Sequence, residues 1–287
     1  MNLTYLKALL KRADTQALTQ FNPPLLPQKV YVEHLSPDPE HYQAYCENVG
    51  WNVKHQPHPC YLQTRATNLQ MQCLADKGSP FPLLGLIHRT NEIIQQTQVD
   101  VSKPAKLTAR FHDVQAHVKG WEIGIKVTAE QQGQDVYQAI GRYLIRINAP
   151  HVERKVDSSF PPKAQWEQFN EVTDIDVPEG IGRRYAKLSG DYNPIHLSRF
   201  SARPFGFDKT IAHGMWTLAK CVSEIEKHVR RKENAADPIS QIYCEFKRPV
   251  FLPALTHLLM DNPEQHTATF ALVGNEKTAP HILGTVS

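Results

Sequence analysis

The 287-residue chain reads as an α+β protein of two similarly built halves, each a long helix wrapped by a curved antiparallel sheet. Two observations predict this. Strand-like runs gather in two clusters, 105–147 and 238–286, and in the first the joints are as short as Lys119-Gly120 and Gln132-Gly133-Gln134, which suit hairpins. Ahead of each cluster lie apolar residues at helical spacing.

The first twenty residues, "MNLTYLKALLKRADTQALTQ", carry leucines at helical spacing together with Lys7, Lys11, Arg12 and Asp14. No apolar core follows that would suit a signal peptide, so a helix packed on the body is expected. "FNPPLLPQ" (21–28) breaks any helix and completes an N-terminal unit, 1–28. In 29–150, "CYLQTRATNLQMQCLA" (60–75) and "FPLLGLIHRTNEIIQQ" (81–96) read as helices. Strands follow at 105–118, 121–131 and 135–147. Residues 151–170 read as a connector, and 171–287 repeat the plan. Its parts are a strand at 171–177, helix at 178–188 and from about Thr210 to Arg231, then strands at 238–250, 254–261, 267–274 and 281–286. "FPLLGLIHRTNEI" aligns loosely with "DKTIAHGMWTLAKCV", which suggests duplication and makes His88 the counterpart of His213.

Composition narrows the function. A hydrophobic share of 41% supports real cores, and a net charge of +3 with both signs interspersed is no nucleic-acid footprint. The sequence holds no run of eighteen apolar residues, so a soluble, cytoplasmic protein is expected, with its five cysteines (Cys46, Cys60, Cys73, Cys221, Cys244) as reduced thiols. "HQPHPC" (55–60) has imidazoles and a thiol but no second ligand cluster nearby. Walker, GxGxxG and GxSxG motifs do not occur, and neither a metal nor a cofactor is expected.

"SGDYNPIH" (189–196) places a carboxylate, an amide and an imidazole around two turn-formers, Gly190 and Pro194. The residue before proline is pushed out of the α region, so the segment turns and can bring Asp191 and His196 to one point. Such a pair orients a general base or grips a water. Downstream, "AHGMW" (212–216) opens a helix whose Gly214 N–H suits a developing oxyanion. Taken singly, the first segment also reads as a decorated turn and His213-Gly214 as helix capping; their joint occurrence favours a site.

The run "YAKLSGDYNPIHLSRFSA" (185–202) resembles the signature of the MaoC-like, hydratase 2 group of (R)-specific enoyl-CoA hydratases. Tyr185, Ser189, Gly190, Asp191, Asn193, Pro194, Ile195, His196 and Ala202 fill its positions, and "GFDKTIAHGMW" is similar to the group's second block. The clear match spans about 183–250. The resemblance implies a double hotdog in which 171–287 is catalytic and 29–150 is a degenerate partner housing the acyl chain. It implies Asp191, His196, Asn193 and Gly214 as catalytic residues, with Asn193 shaping the loop or bonding water or thioester. Tyr185, His213, Met215, Arg203, Phe207, Lys247 and Arg248 would bind substrate; Arg183, Arg184 and Arg199 join the basic residues that could meet phosphates. The reaction implied is reversible addition of water to a trans-2-enoyl thioester of coenzyme A. Alternatives are a carrier-protein dehydratase, a non-catalytic acyl-thioester module and, less favoured, a hotdog thioesterase. A homodimer is the default.

Overall fold

Among the described residues, ten strands join into one antiparallel sheet in the order β1-β3-β4-β5-β2-β7-β10-β9-β8-β6. The structure is a computed structural model and describes residues 11–53, 56–96, 99–149, 166–232, 239–263, 267–276 and 279–287. The first half contributes β1 (Tyr31–Leu35), β2 (Ile87–Gln95), β3 (Ala105–His117), β4 (Gly120–Gln131) and β5 (Gln134–Arg146). The second contributes β6 (Asn170–Val177), β7 (Gln241–Phe246), β8 (Ala254–Met260), β9 (Ala268–Gly274) and β10 (Pro280–Val286). Counted outward from the β2–β7 seam, both halves run in the same order, so the duplication is topological. At that seam Asn91 faces Cys244 and Ile93 faces Ile242.

One expected helix is a strand. Residues 87–95 form β2, hydrogen-bonded to β5 on one side and β7 on the other. A short apolar run fits either period, and here the two neighbouring strands decide. By position in the chain, the helical counterpart of the second half's long helix is 61–75, split at Ala66 into α3 (Tyr61–Arg65) and α4 (Thr67–Ala75). The alignment of His88 with His213 therefore fails, because His88 stands on β2.

The remaining helices are α1 (Thr15–Leu18), α2 (Pro39–Val49), α5 (Ile181–Ser189), α6 (Arg199–Ala202) and α7 (Gly214–Lys232). α2 starts on an Asp38 cap with Pro39 in its first turn and stops at left-handed Gly50. α1 is anchored by buried Leu18, whose carbonyl accepts from Trp121 Nε1 at 2.8 Å. The rest of the expected N-terminal helix (1–10) and most of the connector (151–165) lie outside the described residues. α7 presents Leu218, Cys221, Val222, Ile225 and Val229, all fully buried, as one apolar stripe. No helix among the described residues is long and apolar enough to cross a membrane.

From the "HQPHPC" segment, His58 is fully buried and braces this core. Its Nε2 donates to the Ala219 carbonyl of α7 at 3.0 Å, and its Nδ1 accepts from the Cys60 N–H at 3.0 Å. Burial pushes His58 down to about 4 from the ordinary 6.5. Folding thus favours the neutral ring by about 3 kcal/mol. This stability is fully present above pH 6.5 and is lost as the pH falls towards 4, because the unfolded chain takes up the proton first. His88, pushed by burial to about 4, and His196, to about 3, act with the same sign. The melting temperature should therefore fall between pH 6.5 and 4, and His58→Leu should flatten that slope. An unchanged slope in the variant would contradict this role for His58.

Candidate active site

The second half builds its loop from a helix end and two side-chain turns. α5 stops at Gly190, left-handed at φ 75°, whose N–H donates to the Ala186 carbonyl at 2.9 Å. Ser189 Oγ donates to the Tyr185 carbonyl at 3.0 Å and accepts from the Asp191 N–H at 3.2 Å. Asp191 Oδ1 accepts from the Asn193 N–H at 3.1 Å, and Asn193 Oδ1 accepts from the Ile195 N–H at 3.4 Å. Two successive Asx turns thus fold the segment, with Asn193 extended as its proline neighbour requires. Pro194–His196 close into a single 3₁₀ turn, clamped by Ser201 Oγ on the Pro194 carbonyl at 2.7 Å. Behind it lies Gly182 of α5, where any Cβ would run into the His196 carbonyl.

His196 is 8% exposed, and its Nδ1 lies 2.8 Å from the Ile211 carbonyl. A carbonyl only accepts, so Nδ1 carries the proton and Nε2 presents a lone pair. The His213 ring stacks on His196 at 3.7 Å and 27°, and its Nε2 donates to the main-chain carbonyl of Asp191 at 3.0 Å. Burial, then the neighbouring His213, pushes His196 down to about 3, against the pull of Asp191. Burial lowers His213 as well, and the Asp191 carboxylate opposes it. A carboxylate oxygen of Asp191 and one nitrogen of each ring lie within 4.8 Å of one another, which one bridging water spans. Two imidazoles and a carboxylate are also a cation's donor set. With the rings nearly parallel, however, no point about 2 Å from both nitrogens lies in both ring planes.

α7 begins at Gly214, and the N–H groups of its first turn have no intrahelical acceptor. The Phe246 ring of β7 covers this tip, 3.0 Å from where a Gly214 Cβ would sit. Against Phe246 packs His88 of β2, with centroids 4.6 Å apart, and Tyr143 of β5 stacks on His88 at 4.5 Å. Burial lowers His88 and raises Tyr143, and the Asp191 carboxylate pulls both upward, so both lie within its field.

The structure brings Asp191, His196 and His213 together, with Gly214 next to His213 in the chain and Asn193 as the loop's internal brace. Tyr185 and His213, expected against substrate, support the loop from behind. Tyr185 is 1% exposed, shares a 2.9 Å hydrogen bond between its hydroxyl and that of Thr64, and tilts against His213. Met215 and Phe207 are half-buried, the latter 6.2 Å from the Phe251 ring. Arg203 and Arg248 are exposed, and exposed Lys247 pairs with Glu245. Arg183 donates to the Leu197 carbonyl at 3.3 Å, while Arg184 and Arg199 are exposed. Sequence reasoning missed Gly182, Tyr143 and the true place of His88.

Residues 163–276 match the family described as MaoC like domain. The chain is 28% identical to 3-hydroxyacyl-thioester dehydratase X of Mycobacterium tuberculosis over 258 residues, 90% of this chain and 88% of that protein. Its structure is similar to the crystal structure of HtdX of Mycobacterium tuberculosis, with a TM-score of 0.73 at 23% identity, covering 90% of this chain and 99% of that one. A conserved hypothetical protein of the same organism, described as a double hotdog, superposes with a TM-score of 0.59 at 9% identity over 90% of this chain and 94% of its own. The fold is the double hotdog that the resemblance implies.

Proposed function

We propose, from the match of residues 163–276 to the MaoC like domain and from the double hotdog fold, that the protein is a hydro-lyase, an (R)-specific enoyl-CoA hydratase working reversibly as a 3-hydroxyacyl-thioester dehydratase. The observation that carries this reading is the cluster of the Asp191 carboxylate with the His196 and His213 rings, one atom of each within 4.8 Å of the others, with His196 Nδ1 fixed on the Ile211 carbonyl. Nε2 and the carboxylate then hold one water between them. In hydration His196 takes a proton from that water as its oxygen bonds to C3. Negative charge gathers on the thioester oxygen, where the N–H of Gly214 meets it. The imidazolium then returns the proton to C2, and water has been added with no group consumed. Dehydration is the reverse. Burial keeps the resting His196 ring neutral, so its Nε2 lone pair faces the water, and the negative Asp191 carboxylate beside it favours the imidazolium that forms.

The thioester carrier in this reading is coenzyme A. Phe246 lies on the Gly214 tip, and Lys247 and Arg248 follow it into solvent. Arg248 is the residue for the nucleotide phosphates, since a guanidinium forks onto such oxygens. Arg248→Glu should raise KM for crotonyl-CoA about ten-fold and leave kcat nearly unchanged. A crotonyl-pantetheine thioester, which lacks those phosphates, should show no change. Equal losses on both substrates would contradict the assignment. The reading as a whole is tested by following crotonyl-CoA hydration through the loss of the conjugated thioester's ultraviolet absorbance, with chiral analysis of the product.

A further inference from the structure

The first half places a chain of polar side chains beside this site. Asn91 Nδ2 lies 3.4 Å from His88 Nε2. Gly141 of β5 faces Asn91 across the strand pair, and a Cβ there would stand 3.1 Å from the Tyr143 hydroxyl and 3.4 Å from the Asn91 amide nitrogen. Glycine at 141 thus lets the hydroxyl and the amide crowd together. The Tyr143 hydroxyl donates to Gln70 Oε1 at 3.0 Å, and Gln63 Nε2 donates to the same oxygen at 3.3 Å. His88, Asn91, Tyr143, Gln70 and Gln63 therefore run from the neighbourhood of Asp191 to α3 and α4, the helices of the half expected to house the acyl chain.

A tunnel for a plain alkyl chain needs none of these groups, and burying amides beside hydrocarbon costs free energy unless every polar atom finds a partner. Here two do not. Asn91 is fully buried and Gln63 is 2% exposed, yet Asn91 Oδ1 and Gln63 Oε1 accept no hydrogen bond from the described residues. Gln70, the link between them, is 7% exposed and already accepts two donors. The chain is thus short of donors, and a substrate hydroxyl is a donor.

The geometry points to this chain as the specificity surface for the acyl group, with acyl thioesters that carry a hydroxyl beyond the reacting carbons as the substrate class. The inference rests on the dehydratase reading above. Asn91 and Gln63 are the specificity-determining residues, and Gln70 and Tyr143 position them.

The test compares kcat/KM of the wild-type protein for trans-2-hexenoyl-CoA, its chain-hydroxylated counterparts and crotonyl-CoA. At least one hydroxylated chain should be preferred over the plain six-carbon chain by about ten- to a hundred-fold, since a site built to bond a hydroxyl rejects the analogue lacking it. In Asn91→Leu and Gln63→Leu that ratio should fall to about one or invert, with most of the change in KM. Equal or better turnover of plain hexenoyl-CoA by a wild-type protein that hydrates crotonyl-CoA would overturn this inference and leave the dehydratase reading standing. Failure on all the thioesters would overturn both. Should the variants not fold, the wild-type ratio decides alone.

Discussion

Asp191→Asn should lower turnover of crotonyl-CoA by about a hundred- to ten-thousand-fold, the size of a general acid–base contribution. The substitution leaves a carbonyl oxygen to accept from the Asn193 N–H, so the turn persists while the charge that grips the water is lost. His196→Ala should cost a similar factor, because it removes the lone pair that takes the proton. The double variant should be little worse than the poorer single one, since both groups act on one water. Circular dichroism and melting of each variant, beside the hydration assay, separate lost chemistry from lost folding. Folded variants that both retain near-normal hydration would end the mechanism.

The second large effect is expected far from any charge. Gly182→Ala directs a methyl group at the His196 carbonyl, a main-chain atom held by the 3₁₀ turn. Either α5 or the turn must move, at about 1–3 kcal/mol of stability. Displacing the imidazole by about 1 Å costs up to about a hundred-fold in rate. The lesion should appear as a lower melting temperature together with a lower kcat. Gly190→Ala is the useful contrast, because no atom lies within 4 Å of its Cβ position and the expected penalty comes from φ alone. A Gly182→Ala protein with wild-type melting and turnover would show that the close approach does not matter.

Local chemistry made the loop from Gly190 to His196 legible. Gly190 at a helix end, Asn before Pro194, and Asx side chains two residues behind their N–H donors all fold the segment from within. The hairpins of β3, β4 and β5 were legible for the same reason. β2 was not, because its apolar residues satisfy the helical period and its strand character comes from β5 and β7, distant in sequence. His88 was misplaced with it, and so the polar chain to Gln63 was invisible. The sequence set "HQPHPC" aside as a metal site for want of a second ligand cluster but offered no role for His58, and only the packing of α7 shows its Nε2 on a helix carbonyl. Gly182 gave no signal at all, since one helical glycine says nothing about which backbone crosses it.

The most direct check of the central claim is the fate of solvent oxygen. Crotonyl-CoA incubated with the wild-type protein in water enriched in heavy oxygen should yield (R)-3-hydroxybutyryl-CoA labelled at the 3-hydroxyl, and Asp191→Asn should form it far more slowly. Release of free coenzyme A with the label in a carboxylate, or label at C3 formed equally fast by the variant, would contradict a water held between Asp191 and His196.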